Sequence, residues 1–358
     1  MKAFFTSITA AVTVSSVASV LFAIGTNITQ AEQPVLKLDM TGIVFTADEI
    51  GNSISTIDLA SGKVKIVAVP IAPHNVQITA NGAQLLAVGE PAIDGRDHSQ
   101  AGTGHGAKKA KGRLLVFDAG ILLSRPVASI QVGSHPAHVV VNVAGRRAFV
   151  TNSGDNAVAV VDLSRKKVVR TVLTGRSPHG LRISPDGREL YVANVEDGSV
   201  SVIDTTKLAE VARIPVGRTP VQVGFTPDGT RVYVSLRDEN SVAIVDTASR
   251  TKIGTVAVGR GPIQVHATPD GRSVYVANQG SDAEPADTVS VIEVATGRVI
   301  GTIRTGRGAH GVAVSNDGSL VFITNIVEGT VSVIDASTRV LVATFSVGRG
   351  PNGVTFRP

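Results

Sequence analysis

The sequence predicts an all-β chain, a seven-bladed β-propeller with four-stranded antiparallel blades whose N- and C-termini share one blade. Three observations predict it. Gly133, Gly175, Gly217, Gly259, Gly306 and Gly348 recur at intervals of 42, 42, 42, 47 and 42 residues, and a fixed period of this length marks an array of supersecondary units. An acid closing a "V-x-V-I-D"-like segment recurs as Asp58, Asp118, Asp162, Asp204, Asp246, Glu293 and Asp335, which counts seven units across residues 40–358. The 37 glycines, with abundant Val, Ile and Thr, favour short strands and tight turns over helices.

One unit shows the local physics. Residues 179–184 alternate, Pro185-Asp186-Gly187 turns, residues 189–194 alternate, residues 195–198 loop, residues 199–204 alternate, and residues 211–216 close the unit. Four short strands per unit suit a propeller blade, because stacked blades bury both sheet faces and ring closure protects the edges. The chain opens with three strands of a unit (residues 43–46, 54–58 and 64–67) and ends with a lone first strand (residues 354–356), so the ends supply one blade jointly. The turns Pro185-Asp186-Gly187, Pro227-Asp228-Gly229, Pro269-Asp270-Gly271 and Asn316-Asp317-Gly318 are hairpin chemistry, as is the acid ladder, and neither carries a catalytic reading.

Composition excludes several chemistries. With no Cys among 358 residues, the chain has no disulfide, thiolate zinc site, iron–sulfur cluster, Cys nucleophile or covalent c-type haem. Any metal must be held by His and carboxylates. Residues 1–31 read as a signal peptide: Lys2, an apolar run with Ser and Thr to Ile24, then Thr29-Gln30-Ala31 as the cleavage site. The alternative is an uncleaved anchor. Residues 32–358 then form the propeller, periplasmic or secreted, and no later segment is long and apolar enough to span a bilayer. Without Lys2, 33 basic residues face 29 acidic ones, a net charge of +4. So mild a bias, with few aromatics for stacking, argues against nucleic acid as a partner.

Tyr191-Val192-Ala193-Asn194, Phe149-Val150-Thr151-Asn152, Tyr275-Val276-Ala277-Asn278 and Phe322-Ile323-Thr324-Asn325, mostly following "PDG"-like turns, resemble the YVTN family of β-propeller repeats. The resemblance covers essentially the whole chain after the signal peptide and implies the fold. It implies function only broadly, because relatives include surface-layer proteins, periplasmic binding proteins and, more distantly, lactonases and haem-d1 propellers. The haem-d1 relatives are typically eight-bladed, which sets them apart from a count of seven. Absent Trp argues against quinoprotein and sialidase-type propellers.

Function is sought where positions depart from the repeat. At the entry to the innermost strand stand His74, His138, His179, Val221, Ile263, His310 and Asn352. Propeller symmetry places these around the mouth of the axial channel, where converging imidazoles suit zinc or copper. His135 is a further candidate ligand or an orienter of His138. The competing reading is that the imidazoles only hydrogen-bond neighbouring blades.

Two insertions, residues 90–111 and about 279–287, fall between second and third strands, on the same rim. The first carries His98, His105, Asp94 and Asp97, candidate ligands on a lid, or else a solvated loop. Arg176, Arg218, Arg260, Arg307 and Arg349 follow the ladder glycines and would crown this rim as an anion-binding ring. Acids in the adjacent loops, among them Glu196, Asp197, Glu239, Glu284 and Glu328, favour mutual neutralisation instead.

The expected function is a secreted or periplasmic binding protein, more a binder than an enzyme, whose partners are a divalent metal ion and/or another extracytoplasmic protein. A lactonase-like hydrolase using the same rim, and a metal-free interaction scaffold, are the alternatives.

Overall fold

The computed structural model describes residues 40–92, 111–121 and 125–358. The expected signal peptide and most of the first insertion, with Asp94, Asp97, His98 and His105, lie outside the described residues.

Among the described residues, seven four-stranded antiparallel sheets form the ring. Blade 1 takes Ile43–Asp48, Ser53–Asp58 and Lys63–Ala68 from the start of the described chain and Pro351–Arg357 from its end. Val44 pairs with Phe356 and Phe45 with Thr355, so the expected shared blade forms with the C-terminal strand innermost. The inner strands of blades 2 to 7 are Ile71–Ile78, Pro136–Val141, Pro178–Ile183, Pro220–Phe225, Pro262–Ala267 and Ala309–Val314. Each touches its neighbours on both sides, which closes a ring around an axial channel.

The core lies between blades. Tyr191, Val202 and Ile214 of blade 4 interlock with Val223, Val232 and Val245 of blade 5, and the same sheet-on-sheet packing joins blades 1 and 2 through Phe45, Ile54, Leu85 and Phe117. Without Trp, the largest fully buried side chains are Tyr and Phe, such as Tyr191, Tyr233, Tyr275, Phe149 and Phe322. Burying one apolar side chain of this size stabilises by roughly 1.5–3 kcal/mol.

The turns behave as their chemistry dictates. Ser184 Oγ and Arg188 N donate to Asp186 Oδ1 at 2.6 and 3.0 Å, and Gly187 takes φ +76°. The closing acids cap the next turn: Thr206 N and Lys207 N donate to Asp204 Oδ1 at 2.9 and 2.7 Å.

Strand order fixes which groups share a face. The inner strand's first residues pair with the end of the second strand, as Pro178 does with Asn194. Loops between second and third strands therefore surround the same channel mouth as the inner-strand histidines. In each inner strand the register shifts just after this pairing, as between Pro178 and Leu181 or Pro136 and Val139. This bulge turns consecutive residues toward the axis and the adjacent blade.

Candidate metal centre

His74, His138 and His179 converge: one ring nitrogen of each lies within 4.8 Å of the others. Ring centroids are 5.7 Å apart for His74 and His138, 5.2 Å for His74 and His179, and 4.9 Å for His138 and His179. The closest approach is between the two Nε2 atoms of His74 and His179, at 3.2 Å.

The register corrects one expectation. Val139 pairs with Val150 as Leu181 pairs with Val192, so the repeat equivalent of His179 is Ala137, and His138 stands one residue further along. Blade 4 carries Gly180 at the equivalent of His138, and a Cβ there would lie 2.3 Å from Gln222 Oε1. The missing side chain opens the space in which His138 of blade 3 approaches Gln222 of blade 5, with Gln222 Nε2 3.5 Å from His138 Nδ1.

Acceptors set the tautomers of the close pair. His74 Nδ1 faces both oxygens of Glu49 at 3.1 Å, and His179 Nδ1 faces the carbonyl of Val221 at 3.3 Å. A proton on each Nδ1 leaves a lone pair on each Nε2 in the neutral ring. With both rings neutral, two lone pairs confront each other at 3.2 Å; a proton on His74 Nε2, donated to His179, or a metal ion between them relieves the repulsion. His138 Nε2 is buried with no hydrogen-bond partner.

The charges follow from this packing. Burial would raise the Glu49 carboxyl, but the His74 charge and hydrogen bond and the Asn352 amide, whose Nδ2 donates at 2.7 Å, hold it down at about 2. Burial works against a charged His74, and Glu49 overcomes it and raises the imidazole above its ordinary value. His179 is pushed down to about 3 by burial and then by His74. Burial first, and the His179 and His74 rings next, lower His138 well below its ordinary value. The cluster thus holds two neutral imidazoles and one that accepts positive charge.

The other predicted residues fall elsewhere. His310 Nδ1 lies 3.0 Å from Gln279 Oε1, its Nε2 is buried without a partner, and it stands outside the converging triad. Burial lowers it to about 4. His135, half exposed, pairs with Glu90 at 2.6 Å rather than with His138. In the arginine ring, Arg176 meets Asp197 at 3.0 Å, Arg218 meets Glu239 at 3.8 Å and Arg260 meets Glu284 at 2.6 Å. Arg307 N donates to Glu328 Oε2 at 2.8 Å, and Arg349 Nη2 to the Ile50 carbonyl at 3.4 Å. The loop acids oppose much of the rim's positive charge.

Glu49 escaped the sequence reading, although a periodic signal marks it. It stands one residue past the second-strand position that pairs with the inner-strand proline, and Glu90 and Gln279 hold the same place in blades 2 and 6. Each reaches a histidine of the next blade: His74, His135 and His310.

Two family models match parts of the chain: a YNCE-like β-propeller over residues 115–235 and the cytochrome D1 haem domain over residues 230–353. No curated protein sequence matches this chain. Solved structures share the fold. Hydrazine synthase of Kuenenia stuttgartiensis is 23% identical with a TM-score of 0.65, over 80% of this chain and 89% of that one. A functionally unknown protein from Desulfotomaculum acetoxidans is 16% identical with a TM-score of 0.70, over 88% and 99%. A putative 6-phosphogluconolactonase from Bacteroides uniformis is 17% identical with a TM-score of 0.70, over 89% and 100%. The chain is a β-propeller repeat protein, similar to both lactonase-like and haem-domain propellers.

Proposed function

We propose that this chain is a YVTN-type propeller, exported by its first 31 residues to the periplasm or beyond, that holds one divalent transition-metal ion, zinc or copper, on His74, His138 and His179. The carrying observation is the 3.2 Å between the Nε2 atoms of His74 and His179, each ring turned lone pair inward by an acceptor on its Nδ1. Two nitrogens bound to one tetrahedral zinc at about 2.0–2.1 Å stand roughly 3.3–3.4 Å apart, so the pair needs almost no movement. Glu49 behind His74 is the carboxylate that orients a metal-ligating imidazole and raises its basicity. His138 would supply the third nitrogen.

Haem ligated by two of these histidines does not fit. Axial imidazoles lie on opposite sides of an iron, about 4 Å apart at a metal–nitrogen distance of about 2.0 Å, and the space between Nε2 atoms 3.2 Å apart admits no macrocycle.

Zinc or copper bound here is held for delivery, sensing or docking to another extracytoplasmic protein, with the second-strand loops around the site as the contact surface. Elemental mass spectrometry on untagged protein re-exposed to zinc and copper tests it. About one ion per chain is expected, and loss of that ion in the His138→Ala/His179→Ala double variant. Metal absent from the wild type, or unchanged in the variant, would overturn the proposal. Likeness to putative 6-phosphogluconolactonases supports a second reading, a hydrolase of small lactones at the same histidines, which requires turnover that disappears in the same variant.

A further inference from the structure

The inner strands run in one direction, so the channel's second mouth is built from their C-terminal halves. There a cavity of about 660 Å³ is lined by Gln77, Arg182, His266 and Thr355 among others. Among the described residues no Asp or Glu lines it.

Register places four of these side chains in one layer. Arg182 pairs with Tyr191, His266 with Tyr275, Gln77 with Leu86 and Thr355 with Phe45, the same step of each blade. Blade 5 supplies Gly224 at this step, opposite Tyr233. With no side chain between them, the guanidinium of blade 4 and the imidazole of blade 6 face the same lumen.

Polar capacity in this layer is left over. Arg182 Nη1 donates to the carbonyl of Leu181 at 3.1 Å, which uses one of five N–H groups. Burial alone lowers Arg182, to about 10, with no carboxylate acting on it, so it stays charged at neutral pH. His266 Nδ1 is buried without a partner. Burial and then Arg182 hold this imidazole neutral, at about 3. Thr355 Oγ1 accepts from Ile78 N at 3.3 Å and keeps its own hydrogen to donate. A half-buried cation without a counter-charge is costly.

We infer that this second mouth binds a small oxyanion, a carboxylate or a phosphate, in a fork made by Arg182 with His266 and Thr355 beside it. The planar guanidinium matches two oxygens of either group. The site shares no residue with the histidine cluster at the other mouth.

Calorimetric titration with sodium phosphate, and separately with sodium acetate, at fixed ionic strength tests the inference and tells the two sources apart. One of them is expected to bind at one per chain, with affinity at least tenfold weaker in Arg182→Gln, partly kept in Arg182→Lys, and the number of metal ions bound at the histidine cluster unchanged. His266→Ala, which leaves the charge in place, is expected to weaken the same ligand and carries the test if Arg182→Gln does not fold. No binding of either anion at tens of millimolar, or affinity unchanged in the folded variants, would overturn it.

Discussion

Both carboxylate oxygens of Glu49 lie 3.1 Å from Nδ1 of His74, although the two residues belong to different blades. Asn352, on the strand contributed by the chain's other end, donates to the same carboxylate at 2.7 Å. A candidate ligand is therefore oriented by the blade that closes the ring.

Glu49→Gln should weaken metal binding by about 10- to 100-fold, the usual effect of removing a partner that orients a ligating histidine. The amide keeps the volume and one acceptor, so thermal unfolding of the metal-free protein should shift little. Competition against a chromophoric chelator reads the affinity, and an unchanged value would mean Glu49 serves packing alone.

Proton release near neutral pH should not exceed one per ion, and that one comes from His74. His179, at about 3, and His138, well below its ordinary value, are already neutral there, so neither has a proton to lose. His74 is raised above 6.5, so the native state binds a proton that the unfolded chain has released. That contribution to stability is full below 6.5 and is lost as pH rises through the folded value. A bound ion takes the proton's place. Titrations in buffers of different ionisation enthalpy count the protons, and two or three per ion would refute this order of charges.

Asp48 stands where four other blades carry Asn: Ser53 and Ser55 hydroxyls donate to it at 3.0 and 2.6 Å, whereas Asn194 Nδ2 donates to Ser199 and Ser201. Burial raises its carboxyl from 3.8 to about 6 against the hydrogen bonds that lower it. The native state thus binds more protons than the unfolded chain between these values, and stability should fall as pH rises through them, by about 3 kcal/mol at most. Asp48→Asn should raise the melting temperature at pH 8 and flatten this slope. Denaturant curves at several pH values check it.

Deleting residues 349–358 removes the inner strand of blade 1, with Val354 and Thr355 buried and Phe356 stacked on Phe322 at a centroid distance of 5.1 Å. Val354 alone should cost roughly 1.5–3 kcal/mol, and the exposed edge of Ile43–Asp48 adds to it. The expected result is a melting temperature more than about 10 °C lower than for a deletion of equal size at an exposed outer-strand turn, read by circular dichroism.

Fold was legible because it is periodic. Each blade repeats the same turn residues and the same alternation, and any one unit predicts the others. The site was legible as a ring of histidines at the channel mouth, but not in which three of them meet or at which register. His138 joins the cluster from a neighbouring register position, across the gap left by Gly180. Such a meeting depends on the bulge and on an absent side chain one blade away, neither of which leaves a motif. Arg182 and His266 were invisible for the same reason: each looks like an ordinary strand residue until the ring brings them to one layer.

The joint blade also sets an order of events during synthesis. Pro351–Arg357 leaves the ribosome after every other described strand, and until it docks against Ile43–Asp48 the ring stays open and Glu49 lacks Asn352. A half-made chain already carries Glu49 and the three histidines, but it lacks the Asn352 amide that holds the Glu49 carboxylate. The last hydrogen bond to the carboxylate behind His74 and the closure of the ring thus arrive together.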